Sequence, residues 1–394
     1  IFKSKIAFIL TALVYALNFC VSDYDTILSA DSLAASFSII SFYFFIVYWE
    51  RRKKKDLIFA ALMICWAIFT RPVMGILWGV MGMFLLLYAL KKRTIKNLLA
   101  IVIFALPFLV TDSLWIARNY VKHRTISPFD SLLLYSYDQN NTRSYSYYGF
   151  IGSFVKSWGG NSVLWDPNSE VRWLGIENIV VDGSDAYSQL GEYKKDLPDY
   201  IYTSRFNKDS LLVLKEKFKL IYAHNLPPEQ ELDYCEFVNQ RLFAYTQSIK
   251  KEKPFIYYVY GPLKIIKTFL LNHGTQTLIP VAFSEMNLFQ KAIKLSAAII
   301  NLFIIFGGIV GIILSLITKD IFRGERKFIL LSIPIFTCIM YLFFIGFIFK
   351  FPEIRFMVPL YSFLLLCAMY IFVLLEQYLK RFFKQKHVPV NKPE

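Results

Sequence analysis

The sequence predicts an all-α, multi-span membrane protein. Of its 394 residues, 56% are hydrophobic and 19% are charged, whereas an ordinary soluble domain carries about 25% charged residues. The mean hydropathy is +0.44, and the apolar residues occur in long uninterrupted runs. These features exclude a soluble enzyme, a disordered protein and a disulfide scaffold.

The apolar runs predict about eight transmembrane helices, because a span needs about 20 apolar residues. The third and fourth runs are short and meet at Arg71-Pro72, where proline favours a turn or a helix start. The predicted spans are residues 4–21, 27–49, 57–72, 73–90, 97–117, 293–317, 328–349 and 356–379.

The net charge of +15 is concentrated beside the apolar runs. Residues 121–292 contain 19 basic and 18 acidic residues, so this polar segment is almost neutral. The excess lies in the loops 50–56, 91–96 and 319–327 and in the tail after residue 380. Short basic loops between spans are typical of the cytoplasmic side of a membrane. We therefore expect the lipid bilayer, and not nucleic acid, to be the partner of these charges.

This topology divides the chain into four predicted regions. Residues 1–120 contain five spans, 121–292 form a large, mainly helical extracytoplasmic domain, 293–380 contain three spans, and 381–394 form a cytoplasmic tail. Within the domain, apolar spacing predicts helices over 208–222 and 228–250. Residues 254–272 combine aromatic residues with lysines, which predicts a helix in the membrane interface.

The cysteines give no support to a metal or redox centre. Four of the five lie in apolar runs, and the chain contains no CxxC pair. We expect no cofactor and no metal ligands, with a divalent metal left as an alternative.

Charged residues inside or beside a span are costly and usually functional. Here they all map to the predicted outer half of the membrane, where carboxylates and arginines together suit a lipid phosphate or pyrophosphate. Arginine binds phosphate oxygens in a planar, bidentate manner, and a carboxylate can accept a proton from an acceptor hydroxyl. The candidate residues are Asp31, Arg71, Asp112, Arg118, Glu353 and Arg355, with Asp23 and Asp25 in the first outer loop.

Four segments in the same order carry a resemblance to a known family. They read LSADSLAASFSIISFYFF (28–45), IFTRPVMGILW (68–78), LWIARNYVKHRTISP (114–128) and FPEIRFMVPLYSFLLL (351–366). They resemble the acidic span-opening, "LTRP", "PWxxRNY" and "E-x-R-Y/F-x-x-P" segments of the GT-C glycosyltransferases that use polyprenyl-phosphate sugars. The closest branch is family 39, which includes protein mannosyltransferases and aminoarabinose transferases of lipid A.

The resemblance implies transfer of a sugar from a polyprenyl-phosphate donor to a glycan, lipid or protein acceptor, without a metal. It implies that Asp31 matches the second acidic position near the site, and that an earlier outer loop with an acidic pair holds the usual base. That loop is expected to precede Ile1, which leaves Asp25, Asp23 or Asp31 as the catalytic carboxylate of this chain. The implied substrate-binding residues are Arg71, Arg118, Asn119, Tyr120, Glu353, Arg355 and Asp112.

Other interpretations stay open at this point. Asp31 could cap its helix, and Arg118 could be an interfacial anchor. The chain could also be a lipid or sugar transporter or flippase, an O-antigen polymerase or ligase, or a scaffold without chemistry. The membrane expected for the transferase is the bacterial inner membrane, with the large loop outside.

Overall fold

A computed structural model of the chain describes residues 5–18, 21, 30–123, 202–222, 227–271, 279, 283–319, 324–349 and 356–386. These residues are almost entirely helical, and no strand lies among them. Six of the helices are long and apolar enough to cross a membrane. The all-α, multi-span prediction is therefore confirmed.

The helices are numbered here in chain order over the described residues. Two π-helical turns, Ile256–Tyr260 and Phe344–Phe349, and one 3-10 turn, Pro72–Met74, accompany them. The α-helices are α1 (Lys5–Ala16), α2 (Ala30–Arg51), α3 (Lys54–Thr70), α4 (Gly75–Lys92), α5 (Ile95–His123), α6 (Lys208–Tyr222), α7 (Pro228–Glu252), α8 (Gly261–Leu271), α9 (Leu288–Ile317), α10 (Glu325–Phe343) and α11 (Met357–Lys386).

The eight predicted spans correspond to these helices with two differences in length. The predicted spans 4–21 and 57–72 are the helices α1 and α3, which have 12 and 17 described residues. At 1.5 Å per residue, α3 is about 25 Å long, which is shorter than a bilayer core of about 30 Å. The remaining six predicted spans coincide with the six helices that are long enough to cross.

The chain divides into two compact units. The first, called here the bundle, comprises the described parts of Ile1–Phe129, Leu270–Tyr341 and Glu353–Glu394. The second comprises the described parts of Asp130–Phe269 and Leu342–Pro352. Helices predicted at 208–222 and 228–250 are present in the second unit as α6 and α7, and the segment 254–272 is helical to Leu271.

Within the bundle, α2 and α3 form an antiparallel hairpin. Arg52, between them, adopts a left-handed backbone conformation with φ 54°, which allows a tight turn. Midway along the hairpin the Ser41 hydroxyl donates to the Ala60 carbonyl at 2.7 Å. The start of α2 therefore lies beside the end of α3.

Small residues allow α9 and α11 to pack closely. A Cβ atom at Gly311 would lie only 1.9 Å from the carbonyl oxygen of Cys367, so this position of α9 accepts no side chain. The hydroxyl of Tyr361 donates to Oδ1 of Asn301, and further along both helices the hydroxyl of Tyr370 contacts that of Thr318. Because residue numbers increase in the same direction on both sides of these contacts, α9 and α11 run parallel.

The basic loops of the bundle share one end. Glu50, at the end of α2, forms an ion pair with Arg326 at the start of α10. Arg52 pairs with Glu325 at 3.1 Å, and its guanidinium lies 4.4 Å from the ring centre of Tyr88 near the end of α4. These contacts bring together residues at or beside the basic loops 50–56, 91–96 and 319–327, and this end of the bundle is called the basic end.

Candidate functional site

The opposite end of α2 carries a buried ion pair. Asp31 is the second residue of α2 and its side chain is 1% exposed, whereas the Arg71 side chain is 21% exposed. The Nη2 group of Arg71 donates to Oδ2 of Asp31. Two candidates that are 40 residues apart in the sequence meet because the α2–α3 hairpin is antiparallel. Asp31 lies 19 residues before Glu50, so about 28 Å of helix separate this pair from the basic end.

Proline determines where the arginine lies. The helix α3 ends at Thr70, and Arg71 is extended, with φ −146° and ψ 107°. Pro72 then opens the 3-10 turn that leads into α4. A residue before proline is disfavoured in the helical region, so α3 has to stop here. The predicted break at Arg71-Pro72 is confirmed, and it places the arginine in the turn between α3 and α4.

Two aromatic residues complete the surroundings of Arg71. Its guanidinium lies 5.9 Å from the ring centre of Phe356, just before α11. Tyr341, near the end of α10, is 2% exposed and donates its hydroxyl to the Phe356 carbonyl at 2.7 Å. Tyr341 also interacts electrostatically with Asp31 and Arg71. Parts of α2, α3, α10 and α11 therefore converge on the ion pair.

The guanidinium of Arg71 keeps unused binding capacity. A guanidinium has five N–H donors. Its Nε is buried and makes no hydrogen bond to any described residue, although a buried donor without an acceptor costs free energy. A phosphate oxygen is an acceptor of the kind that this donor requires. The Nε group is therefore the donor with which Arg71 would bind an anionic oxygen while it keeps its contact with Asp31.

The candidates on α5 form a separate group. Arg118 is exposed, its Nη1 donates to Oδ1 of Asn119 at 3.2 Å, and its guanidinium lies 4.9 Å from the centre of Trp115. Asn119 is fully buried, whereas Tyr120 is 49% exposed. The contacts described for Arg118 are thus with its own helix. This arrangement fits the interfacial-anchor interpretation as well as the substrate-binding one.

Asp112 lies deeper in α5 and faces α3. It is half-buried, and it interacts electrostatically with the Cys65 thiol. The same thiol contacts the Thr111 hydroxyl at 3.8 Å. The described contacts place Asp112 in the α3–α5 packing and do not connect it with Arg71.

Four candidates lie outside the described residues: Asp23, Asp25, Glu353 and Arg355. Glu353 and Arg355 closely precede Phe356 in the sequence. Among the described residues, no group of three or more His, Cys, Asp or Glu side chains is placed to hold a metal ion.

Sequence reasoning missed Tyr341 and Phe356 as parts of the site. Both are aromatic residues in aromatic-rich apolar segments, where nothing distinguishes them from residues that only pack. Phe356 lies within the segment 351–366 that carries the family resemblance, and its neighbours Glu353 and Arg355 were the available indication.

Fold and site together define a multi-span helical membrane protein with a buried arginine–aspartate pair at one end of its bundle. Compared with known proteins, the chain matches no family model, no curated protein and no solved structure.

Proposed function

We propose that the chain belongs to a membrane glycosyltransferase of the GT-C type. It transfers a sugar from a polyprenyl-phosphate-linked donor to a glycan, lipid or protein acceptor at the outer face of a bacterial inner membrane. The observation that carries this proposal is the Asp31–Arg71 pair, which is buried at the end of the bundle opposite the basic loops.

The position of the pair supports a substrate that lies at the membrane surface. Basic loops favour the cytoplasmic side, so the end with Asp31 and Arg71 faces outward. About 28 Å of uncharged helix between the two ends is close to the thickness of the hydrocarbon core. In this proposed topology, the phosphate of a membrane-anchored donor would lie at the depth of Arg71.

In the proposed reaction, Arg71 binds the phosphate of the donor and Asp31 holds Arg71 in place. An acceptor hydroxyl attacks the anomeric carbon of the sugar, the new glycosidic bond forms, and the bond to the phosphate oxygen breaks. The hydroxyl proton passes to a carboxylate, for which Asp31, Asp25 and Asp23 are the candidates in this chain. The polyprenyl phosphate leaves as an anion, and Arg71 stabilises its negative charge.

The distribution of buried charge favours this reading over a transporter or flippase. Transporters place charged groups near the bilayer midplane, often in broken helices. In the described part of the chain, the buried charged side chains are Asp31 and Asp56, and they lie at the first turns of α2 and α3. Both positions are ends of helices of the bundle.

Transfer by the complete protein in nanodiscs tests the proposal. Decaprenyl-monophosphate sugars serve as donors, and a decaprenyl-pyrophosphate oligosaccharide tests the O-antigen polymerase or ligase alternative. We expect Arg71→Ala to lower turnover by at least about 100-fold, as loss of a group that stabilises developing negative charge does. Arg118→Ala is expected to abolish transfer if Arg118 also contacts the donor.

Arg326→Ala is the matched control, because Arg326 is also an arginine paired with a carboxylate of the bundle. Its side chain is 42% exposed, and we expect turnover to stay within about threefold of the wild type. Near-normal turnover in both Arg71→Ala and Arg118→Ala would contradict the assignment. Transfer from the pyrophosphate donor alone would favour the polymerase or ligase.

A further inference from the structure

A buried tyrosine connects two helices at the candidate site. Tyr341 lies in the apolar helix α10 and is 2% exposed. A buried tyrosine hydroxyl normally requires a hydrogen-bond partner. Here the partner is the backbone carbonyl of Phe356, 2.7 Å away and 15 residues further along the chain. The bond therefore ties the end of α10 to the beginning of α11.

The same residue, Phe356, supports the arginine of the ion pair. Its ring centre lies 5.9 Å from the guanidinium carbon of Arg71, a distance at which a cation and an aromatic face attract each other. Displacement of the Phe356 backbone would move this ring relative to Arg71. The position of the guanidinium thus depends on a hydrogen bond that Arg71 does not itself make.

We propose that Tyr341 is a positioning residue for Arg71. By holding the Phe356 carbonyl, Tyr341 keeps the Phe356 ring against the guanidinium, so that Arg71 points its remaining donors toward a lipid phosphate. This inference rests on the proposed function of the same site. Besides its electrostatic interaction with Asp31 and Arg71, Tyr341 acts through Phe356, and it does not itself contact the phosphate.

Asp31 and the Phe356 ring both lie beside the Arg71 guanidinium. Asp31 accepts from one edge of the guanidinium, and the ring centre of Phe356 lies 5.9 Å from the guanidinium carbon. Two neighbours on different elements restrict the position of this group more than either neighbour alone. A binding group whose position varies by about 1 Å is a common cause of weak sites. The hydrogen bond from the Tyr341 hydroxyl limits such movement of the Phe356 ring and so of the Arg71 guanidinium.

The binding of decaprenyl phosphate to the full chain in nanodiscs tests the inference. The variants are Tyr341→Phe, Phe356→Leu and the double variant. We expect each single variant to raise the Kd about five- to tenfold, as loss of one hydrogen bond or one cation–aromatic contact does. The Kd of the double variant is expected to equal that of whichever single variant binds with the lower affinity, because both changes release the same guanidinium.

Tyr370→Phe is the matched control. Tyr370 is a buried tyrosine of α11, and its hydroxyl lies 3.2 Å from that of Thr318 at the end of α9. Tyr341→Phe and Tyr370→Phe each remove one buried hydroxyl contact, so we expect similar losses of thermal stability. Only Tyr341→Phe is expected to weaken binding, whereas Tyr370→Phe should leave the Kd within about twofold.

Three results would overturn the inference. They are wild-type affinity in Tyr341→Phe, effects of Tyr341→Phe and Phe356→Leu that multiply in the double variant, and an equal loss of affinity in Tyr370→Phe. Should Tyr341→Phe fail to fold, Phe356→Leu against Tyr370→Phe still tests the ring contact. A wild type that binds decaprenyl phosphate with the expected coupling but transfers no sugar would contradict the transferase proposal alone.

Discussion

The two ends of α2 carry ion pairs of the same residue types in different surroundings. At its start, Asp31 is 1% exposed and pairs with Arg71. At its end, Glu50 is 36% exposed and pairs with Arg326. The first pair joins α2 to the residue that follows α3, and the second joins α2 to the first turn of α10. They differ in how much water reaches them.

This difference separates a structural contact from a candidate site. An exposed ion pair contributes about 0–1 kcal/mol, because water and salt screen it. A buried pair has lost the hydration of both charges, and removing one partner leaves the other charge uncompensated. Each member of the pair at the end with Asp31 thus depends on the other, whereas the members of the pair at the basic end depend on each other little.

The largest expected effect follows removal of the buried carboxylate. We expect Asp31→Ala to lower the free energy of unfolding by about 3–5 kcal/mol, because the charge of Arg71 is left without its partner. Glu50→Ala is the control at the basic end and should cost at most about 1 kcal/mol. Unfolding in mixed micelles, followed by tryptophan fluorescence, measures both. Equal losses in the two variants would show that burial does not distinguish the two pairs.

A smaller effect is expected where aromatic rings, and not the carboxylate, hold an arginine. The Arg52 guanidinium lies 4.5 Å from the ring centre of Trp49 and 4.4 Å from that of Tyr88. We expect Arg52→Lys to cost about 1 kcal/mol in unfolding free energy, because lysine loses the planar stacking. Glu325→Gln, which removes only the exposed charge that pairs with Arg52, should cost less than about 0.5 kcal/mol. The reverse order would mean that the ion pair dominates at the basic end.

Salt should weaken the exposed ion pair of α2 more than the one that contains Asp31. Between 0.1 M and 1 M salt the Debye length falls from about 10 Å to about 3 Å, and exposed charges are screened far more than buried ones. The coupling energy between Glu50 and Arg326, from a double-mutant cycle, should fall by at least about half over this range. The coupling between Asp31 and Arg71 should stay nearly constant. A parallel fall of both couplings would indicate that water reaches the buried pair.

The smallest effect is expected at a carboxylate in the second unit that is fully exposed. Hydrogen bonds from the Ser204 backbone N–H, the Ser204 hydroxyl and the Ser248 hydroxyl lower the pKa of Glu252 below the ordinary value of a glutamate. A lowered folded-state pKa stabilises the fold above the unfolded pKa, and this contribution disappears as the pH falls through the folded pKa.

The melting temperature of the wild type should therefore exceed that of Glu252→Gln at pH 7. The difference should shrink below about pH 4.5 and vanish once Glu252 is protonated. Glu229→Gln, at the exposed start of α7, removes a carboxylate from the same helix and serves as the control for the loss of one negative charge. A difference between wild type and Glu252→Gln that is constant from pH 7 to pH 3 would contradict the assignment.

Much of the fold could be predicted from the sequence, because hydropathy and helical spacing are local properties. The boundaries of α6 match the predicted helix 208–222. The helix α9 begins at Leu288 and not at 293, because Asn287 and Gln290 form a reciprocal capping box outside the apolar run. Such a cap depends on two polar side chains that hydropathy does not register.

The candidate site was predictable only in part. Asp31 and Arg71 stand out because charges interrupt apolar runs, but their pairing depends on the register of the α2–α3 hairpin. Tyr341 has no distinguishing sequence feature, since its role depends on the Phe356 carbonyl of another helix. Glu353, Arg355, Asp23 and Asp25 lie outside the described residues and remain predictions.

The spacing between the two ends of α2 also has a consequence for the lipid environment. Residues 32–49 carry no charge, so the apolar length between the pairs is fixed by the helix at about 28 Å. A thicker bilayer would create hydrophobic mismatch, at fractions of a kcal/mol per Å, and would draw the Asp31–Arg71 pair below the plane of the headgroups. Under the proposed function, the lipid composition of the membrane would thereby set how readily the phosphate of the donor and this arginine reach the same depth.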